Sequence, residues 1–258
     1  MKDPINKAAN LNLPISFIGT QWEHYLYDDP VYFALPPEKN PNVISPDGTI
    51  QKRISPFGYI EPWHEIGIKW GSNPILQKVI SWYPTPPLVF FISNNEATKL
   101  RWLDAEKDLH YINLYGFGRD DNFKRQVFAD GWEARYKALI QGFRDGIGNN
   151  IWKVNSRFIG YEAFGPGWFG RWSGWKEYSL FTPNRIDPNP LFWDEGSPSL
   201  YICPTCRERD NNVMGPLFQS MNWHFIAEEA RELNPSFWYE FSCWDGDNEA
   251  QADYNQRG

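Results

Sequence analysis

Apolar residues in this chain fall into short continuous runs, and stretches of helical period separate them. Pro14-Ile-Ser-Phe-Ile-Gly19, Leu88-Val-Phe-Phe-Ile-Ser93, Tyr111-Ile-Asn-Leu-Tyr115, Arg157-Phe-Ile-Gly-Tyr161 and Phe237-Trp-Tyr-Glu240-Phe-Ser242 read as strands. Unbroken apolar runs of this length suit strands buried on both faces of a parallel sheet. Phe128, Trp132, Tyr136, Leu139, Ile140 and Phe143 recur at three- and four-residue steps and predict an amphipathic helix. Met221, Phe225, Ile226 and Leu233 outline another, stopped by Asn234-Pro235. Residues 74–82 form a short helix with Pro74 in its first turn, 97–109 read as helix, and residues 1–13 read as the tail of a helix or a frayed end.

Two long stretches, about 25–73 and about 165–215, are rich in Pro, Gly, Asp and Asn. Both exceed an ordinary connection and predict loop insertions on a regular scaffold. Within the first, residues 57–63 read as a minor strand. Helix and strand otherwise alternate, so the expected class is α/β, a single domain over residues 1–258. A (β/α)8 TIM-type barrel and an open doubly wound sheet both fit this order. No GxGxxG or GxxxxGK[ST] follows a strand, which weakens the nucleotide-binding forms of the open sheet.

Three of the apolar runs lead into a glutamate, namely Glu96, Glu162 and Glu240. Parallel strands fed by crossover helices end at one mouth, so these carboxylates converge although they are far apart in the chain. Two carboxylates are the minimum equipment for cleaving a glycosidic bond. Asn95-Glu96 directly after a strand resembles the acid/base motif of clan A, the retaining glycoside hydrolases with a (β/α)8 barrel and two glutamates. In that clan the Asn-Glu pair ends the fourth strand and the nucleophile ends the seventh. Taking 111–115, 157–161 and 237–240 as the fifth to seventh strands brings Glu240 to the nucleophile's place.

The resemblance spans about residues 14–245 and implies retaining hydrolysis, with Glu96 as general acid/base and Glu240 as nucleophile. Trp22, Glu23, His24, Asn95, Glu162, Trp168, Trp244 and Asp245 are the expected sugar-binding residues. Neither a metal nor another cofactor is implied. Each assignment has a structural alternative: a helix N-terminal carboxylate for Glu96, a buried ion-paired strand residue for Glu240, and a packing cluster for Trp168, Trp172 and Trp175.

Aromatic residues make up 17% of the 258 positions, which suits core packing and stacking on sugar rings alike. A net charge of −7 and a pI near 5.2 disfavour nucleic acid or an anionic membrane surface as partner. No apolar run approaches a membrane span, and the first residues lack the apolar core of a signal peptide. Localisation stays open. Cys203-Pro-Thr-Cys206 is a lone CxxC; Cys243 or His224 could complete a zinc site, but ordinary loop thiols are the plainer account. His24, His64 and nearby carboxylates lack the spacing of a metal motif.

No eighth strand fits after Glu240, and a first strand is missing upstream, so the barrel is expected to be truncated or incomplete. An open barrel exposes strand edges and invites self-association. The rival function is accordingly a non-catalytic carbohydrate-binding or scaffolding barrel fragment.

Overall fold

The computed structural model describes residues 2–20, 22–94, 98–161, 195–197 and 238–239. Its strands are β1 (Ile15–Thr20), β2 (Asn42–Ile44), β3 (Ile50–Ile54), β4 (Val89–Asn94), β5 (Ser156–Tyr161), β6 (Glu195–Ser197) and β7 (Trp238–Tyr239). Its helices are α1 (Lys2–Asn10), α2 (Tyr25–Asp28), α3 (Pro30–Phe33), α4 (Glu61–Gly71), α5 (Pro74–Trp82), α6 (Leu109–Tyr115), α7 (Asp121–Ile147) and α8 (Asn150–Asn155). Single 3-10 turns lie at Trp22–His24, Pro37–Lys39 and Trp102–Lys107.

β1, β4, β5, β6 and β7 pair in that order, all parallel. The order follows the chain without the reversal that marks a doubly wound sheet. Closure into a barrel is not seen among the described residues. The register aligns Phe17 with Phe91 and Phe91 with Phe158. These three rings form a ladder across the strands, with centroids 5.4 and 5.3 Å apart and nearly parallel planes. Phe143 of α7 caps it, 4.7 Å from Phe91, and Trp152 of α8 packs 6.0 Å from Phe17. The row on the opposite face runs Ser16, Phe90, Arg157; Ser16 is exposed and the other two are half-buried. Full burial on both faces, expected from the apolar runs, is therefore met on the helix-covered face alone for the described side chains.

α7 is the spine of the molecule. Asp120 caps it by accepting from the Phe123 N–H at 2.8 Å, and its 27 residues run ~40 Å at the usual helical rise. The predicted stripe is buried in full: Phe128, Trp132, Tyr136, Leu139, Ile140 and Phe143, extended by Ile147. The first turns join a second core with Val43, Phe57, Trp102 and Tyr111, and the rest faces the main core over the sheet.

α4 lies against this spine at backbone contact. Gly67 and Gly71 on α4 meet Gly142 and Gly146 on α7, one turn apart on each helix. A Cβ at Gly67 would collide with the Leu139 carbonyl, and one at Gly142 with that of His64. Small residues at these four places let the two backbones approach closely, and the flanking aromatics then interlock. Trp63 sits 5.3 Å from Tyr136 and 6.3 Å from Trp132.

Several expected elements are corrected. The stretch 25–73 is not an irregular loop: it holds α2, α3, the β2–β3 hairpin and α4. The hairpin turns at Asp47-Gly48, where Asp47 accepts from the Thr49 N–H and Gly48 takes φ +86°. The minor strand expected at 57–63 is a turn leading into α4, with Pro62 in the first helical turn. Residues 98–107 form an isolated bridge and a 3-10 turn instead of an α-helix. The strand expected at 111–115 is helix α6. Asp108 caps it and Gly116, at φ +74°, ends it, so Tyr111, Ile112 and Tyr115 share one face against the second core. A short β-prone run between two such signals obeys the signals. β6, inside the expected second insertion, was not foreseen.

Replacing Gly67 or Gly142 by Ala is expected to destabilise the fold by about 3 kcal/mol through forced separation of α4 and α7. Gly48→Ala, with open space around it but a left-handed backbone, should cost about 1 kcal/mol. Urea unfolding of the three variants measures the difference; equal losses would mean that the helix contact is not tight.

Candidate functional site

β4 ends at Asn94, β5 at Tyr161 and β7 at Tyr239. Being parallel members of one sheet, they end on the same edge. Glu162 and Glu240 are the next residues in the chain after β5 and β7, and Glu96 follows Asn94 by two. Asn95, Glu96, Glu162, Trp168, Glu240, Trp244 and Asp245 themselves lie outside the described residues, as do Trp172, Trp175 and the three cysteines. The strand count between Glu96 and Glu240 changes its members: α6 drops out and β6 enters, so among the described strands β7 is the third after β4.

Trp22-Glu23-His24, expected to reach the mouth with all three side chains, does so differently. The 3-10 turn after β1 rotates Trp22 into the core, where it meets Phe143 at 5.2 Å and Phe158 at 6.4 Å. Glu23 is fully buried. His24 alone stays partly exposed, packed on Tyr27 at 5.1 Å with Nδ1 3.8 Å from Asp28. Three consecutive residues in a turn cannot face one direction, and the largest apolar ring takes the core.

Glu23 is the centre of a buried polar cluster. Tyr136 Oη on α7 donates to Glu23 Oε1 at 2.9 Å. Lys99 Nζ lies 3.8 Å from the same oxygen, and the Lys99 side chain is only 3% exposed. Its ammonium also sits over Tyr136 at 5.1 Å and Trp132 at 6.0 Å from the ring centroids. Glu23 Oε2 has no hydrogen-bond partner among the described residues. Burial pushes the Lys99 ammonium down to about 8, against the opposing pull of Glu23. Burial pushes the Tyr136 hydroxyl well above its ordinary value, and the Glu23 charge and hydrogen bond add to this.

Lys99 carried no sequence signal, because a single lysine in a polar stretch reads as solvated surface. What buries it is pairing across the fold. Ile54, the last residue of β3, donates from its N–H to the Thr98 carbonyl and accepts from the Leu100 N–H, each at 2.9 Å. The Thr98 N–H donates to Tyr27 Oη at 3.3 Å. The chain just beyond β4 is thus tied to the β2–β3 hairpin, to α2 and, through Lys99, to α7.

A cavity of about 210 Å³ lies elsewhere, under the helices over β1 and β4, lined by Phe17, Trp22, Trp70, Asn73, Ile75, Leu76, Phe91 and Phe143. Its lining is almost wholly apolar and lacks the convergent polar groups that hold a sugar. Among the described residues no group of three or more His, Cys, Asp or Glu could hold a metal, and His64 pairs instead with Asp145 at 2.9 Å. No helix among the described residues is long and apolar enough to cross a membrane. No protein-family model matches this chain, and no similar curated protein or solved structure was found for it.

The Lys99 position predicts a pH signature. Between about pH 8 and the ordinary lysine value of 10.5 the folded chain has released a proton that the unfolded chain still holds, so stability rises with pH across that window. Tyr136 acts in the opposite sense above about pH 10, where the unfolded chain loses its proton first. Unfolding free energies measured from pH 7.5 to 9.5 should climb more steeply in the native protein than in Lys99→Met. Identical slopes would disprove a buried, readily deprotonated lysine.

Proposed function

We propose that this protein is a glycoside hydrolase built on a (β/α)8 arrangement, cleaving an oligo- or polysaccharide by double displacement. The observation that carries it is the sequential, unreversed parallel sheet. Its β4, β5 and β7 end on one edge, and each is followed within two residues by a glutamate. Glu96 is assigned as general acid/base and Glu240 as nucleophile, with Asn95, Glu162, Trp168, Trp244 and Asp245 as sugar contacts. Of the cluster after β1, His24 keeps a partly exposed ring for this purpose.

The chemistry follows from two carboxyls in unlike surroundings. Glu96, protonated at the start, gives its proton to the departing glycosidic oxygen while the ionised Glu240 bonds to the anomeric carbon. Water, deprotonated by Glu96, then breaks that ester, and the configuration is retained. The two carboxyls need a separation of about 5–5.5 Å for this route.

Turnover of a panel of reduced and unreduced oligosaccharides, followed by NMR of the first-formed anomer, tests the assignment. Glu240→Gln should abolish turnover, and Glu96→Gln should lower kcat by about 10²–10⁴ on substrates with poor leaving groups. Full turnover by Glu240→Gln would remove the nucleophile. Sugar affinity without any turnover, undisturbed by Glu96→Gln, would make the protein a carbohydrate-binding module instead.

A further inference from the structure

We propose that Lys99, held by Glu23 and Tyr136, is a positioning residue that fixes the chain just beyond Asn95-Glu96. The near end of this stretch of chain is Asn94, in register with Thr20 of β1. The far end is Thr98, and only residues 95–97 lie between. Two kinds of tie hold the far end. The backbone of residues 98–100 pairs with Ile54, and the Thr98 N–H is bound by Tyr27. The Lys99 side chain runs into the core to Glu23, which follows β1, and to Tyr136 and Trp132 on α7.

The backbone ties hold the far end to the β2–β3 hairpin and α2, and the buried Leu100 packs it into the second core with Val127 and Phe128 in the first turns of α7. Lys99 adds a tie to Glu23, just after β1, and to the middle of α7 at Trp132 and Tyr136. Burying an ammonium and a carboxylate here is costly, and apolar side chains of similar size would usually serve stability as well or better. A lysine that bridges the turn after β1 and α7 suits placement better than stability. A carboxyl that must approach a glycosidic oxygen has to be held to within about 0.5 Å, and an error of an ångström can cost about 10²-fold in rate. The role given to Glu96 rests on the glycosidase assignment; the anchoring by Lys99 does not.

The test has two arms. Hydrogen exchange at the Thr98 and Leu100 amides is followed by NMR in the native protein, Lys99→Met, Lys99→Arg and Glu23→Gln, with α7 and β5 amides as internal controls. Positioning predicts exchange at least about tenfold faster at 98 and 100 in Lys99→Met and Glu23→Gln, control amides unchanged, and partial recovery in Lys99→Arg. Exchange that is unchanged at 98 and 100, or faster in proportion everywhere, overturns the proposal; the second result would show a merely structural ion pair. Glu23→Gln keeps an acceptor for Tyr136 and so covers the case in which Lys99→Met does not fold. In the second arm, on any oligosaccharide the native protein cleaves, Lys99→Met should lower kcat with KM little changed, and Lys99→Arg should restore part of it. An unchanged kcat overturns the proposal. Absence of turnover in the native protein counts against the glycosidase assignment alone and leaves the exchange result standing.

Discussion

The contact on which the rest depends is the backbone approach of α4 to α7 through Gly67, Gly71, Gly142 and Gly146. Four missing side chains bring two helices close enough for Trp63 to interlock with Trp132 and Tyr136. That contact docks the long segment between β1 and α5 onto the helix that covers the sheet. Without it, α2, α3 and the β2–β3 hairpin would keep to the strand ends only through local ties such as the pairing of Ile54 with residues 98–100 and the Thr98–Tyr27 bond. Interiors are packed like crystals, so a contact of this kind transmits position and not merely stability.

The polar interior follows from the same docking. Asp108 is fully buried, yet it accepts from the Ser55 hydroxyl and from the N–H groups of Ile44 and His110. One carboxylate thereby joins the hairpin, the start of α4's approach and the cap of α6. Asn42 donates to the Leu26 carbonyl at 2.7 Å, and Asn40 to those of Phe33 and Leu35. Most buried polar groups in folded proteins are hydrogen-bonded. These bonds replace the regular ladder that an inserted segment lacks. Glu23, Lys99 and Tyr136 form a second buried polar cluster close to where β1 and β4 end.

Much of this was legible in the chain. Residues 14–19, 88–93 and 157–161 read as strands because their apolar runs are short and bounded, and the α7 stripe could be read because its period holds over many turns. Misreadings fell where local pattern is ambiguous. Tyr111-Ile-Asn-Leu-Tyr115 favours a strand by composition, while Asp108 and Gly116 on either side mark a helix, and the ends decided it. The 25–73 stretch looked irregular because its elements are short and its Pro and Asn residues cap and turn them. Trp22, Glu23 and His24 looked like one surface cluster, but neighbours in a turn point apart.

The sequence by itself determined the alternation of helix and strand, the buried stripe of α7 and the presence of a glutamate after three strands, because these depend on residues near one another in the chain. The tertiary structure alone decided that Gly67 meets Leu139, that Lys99 reaches Glu23 and that β6 takes the place expected of residues 111–115. Those facts depend on which surfaces meet across tens of positions of the chain. Hydrophobic period and capping act over a few residues, whereas close approach and the burial of a charge are set by whatever the fold brings alongside.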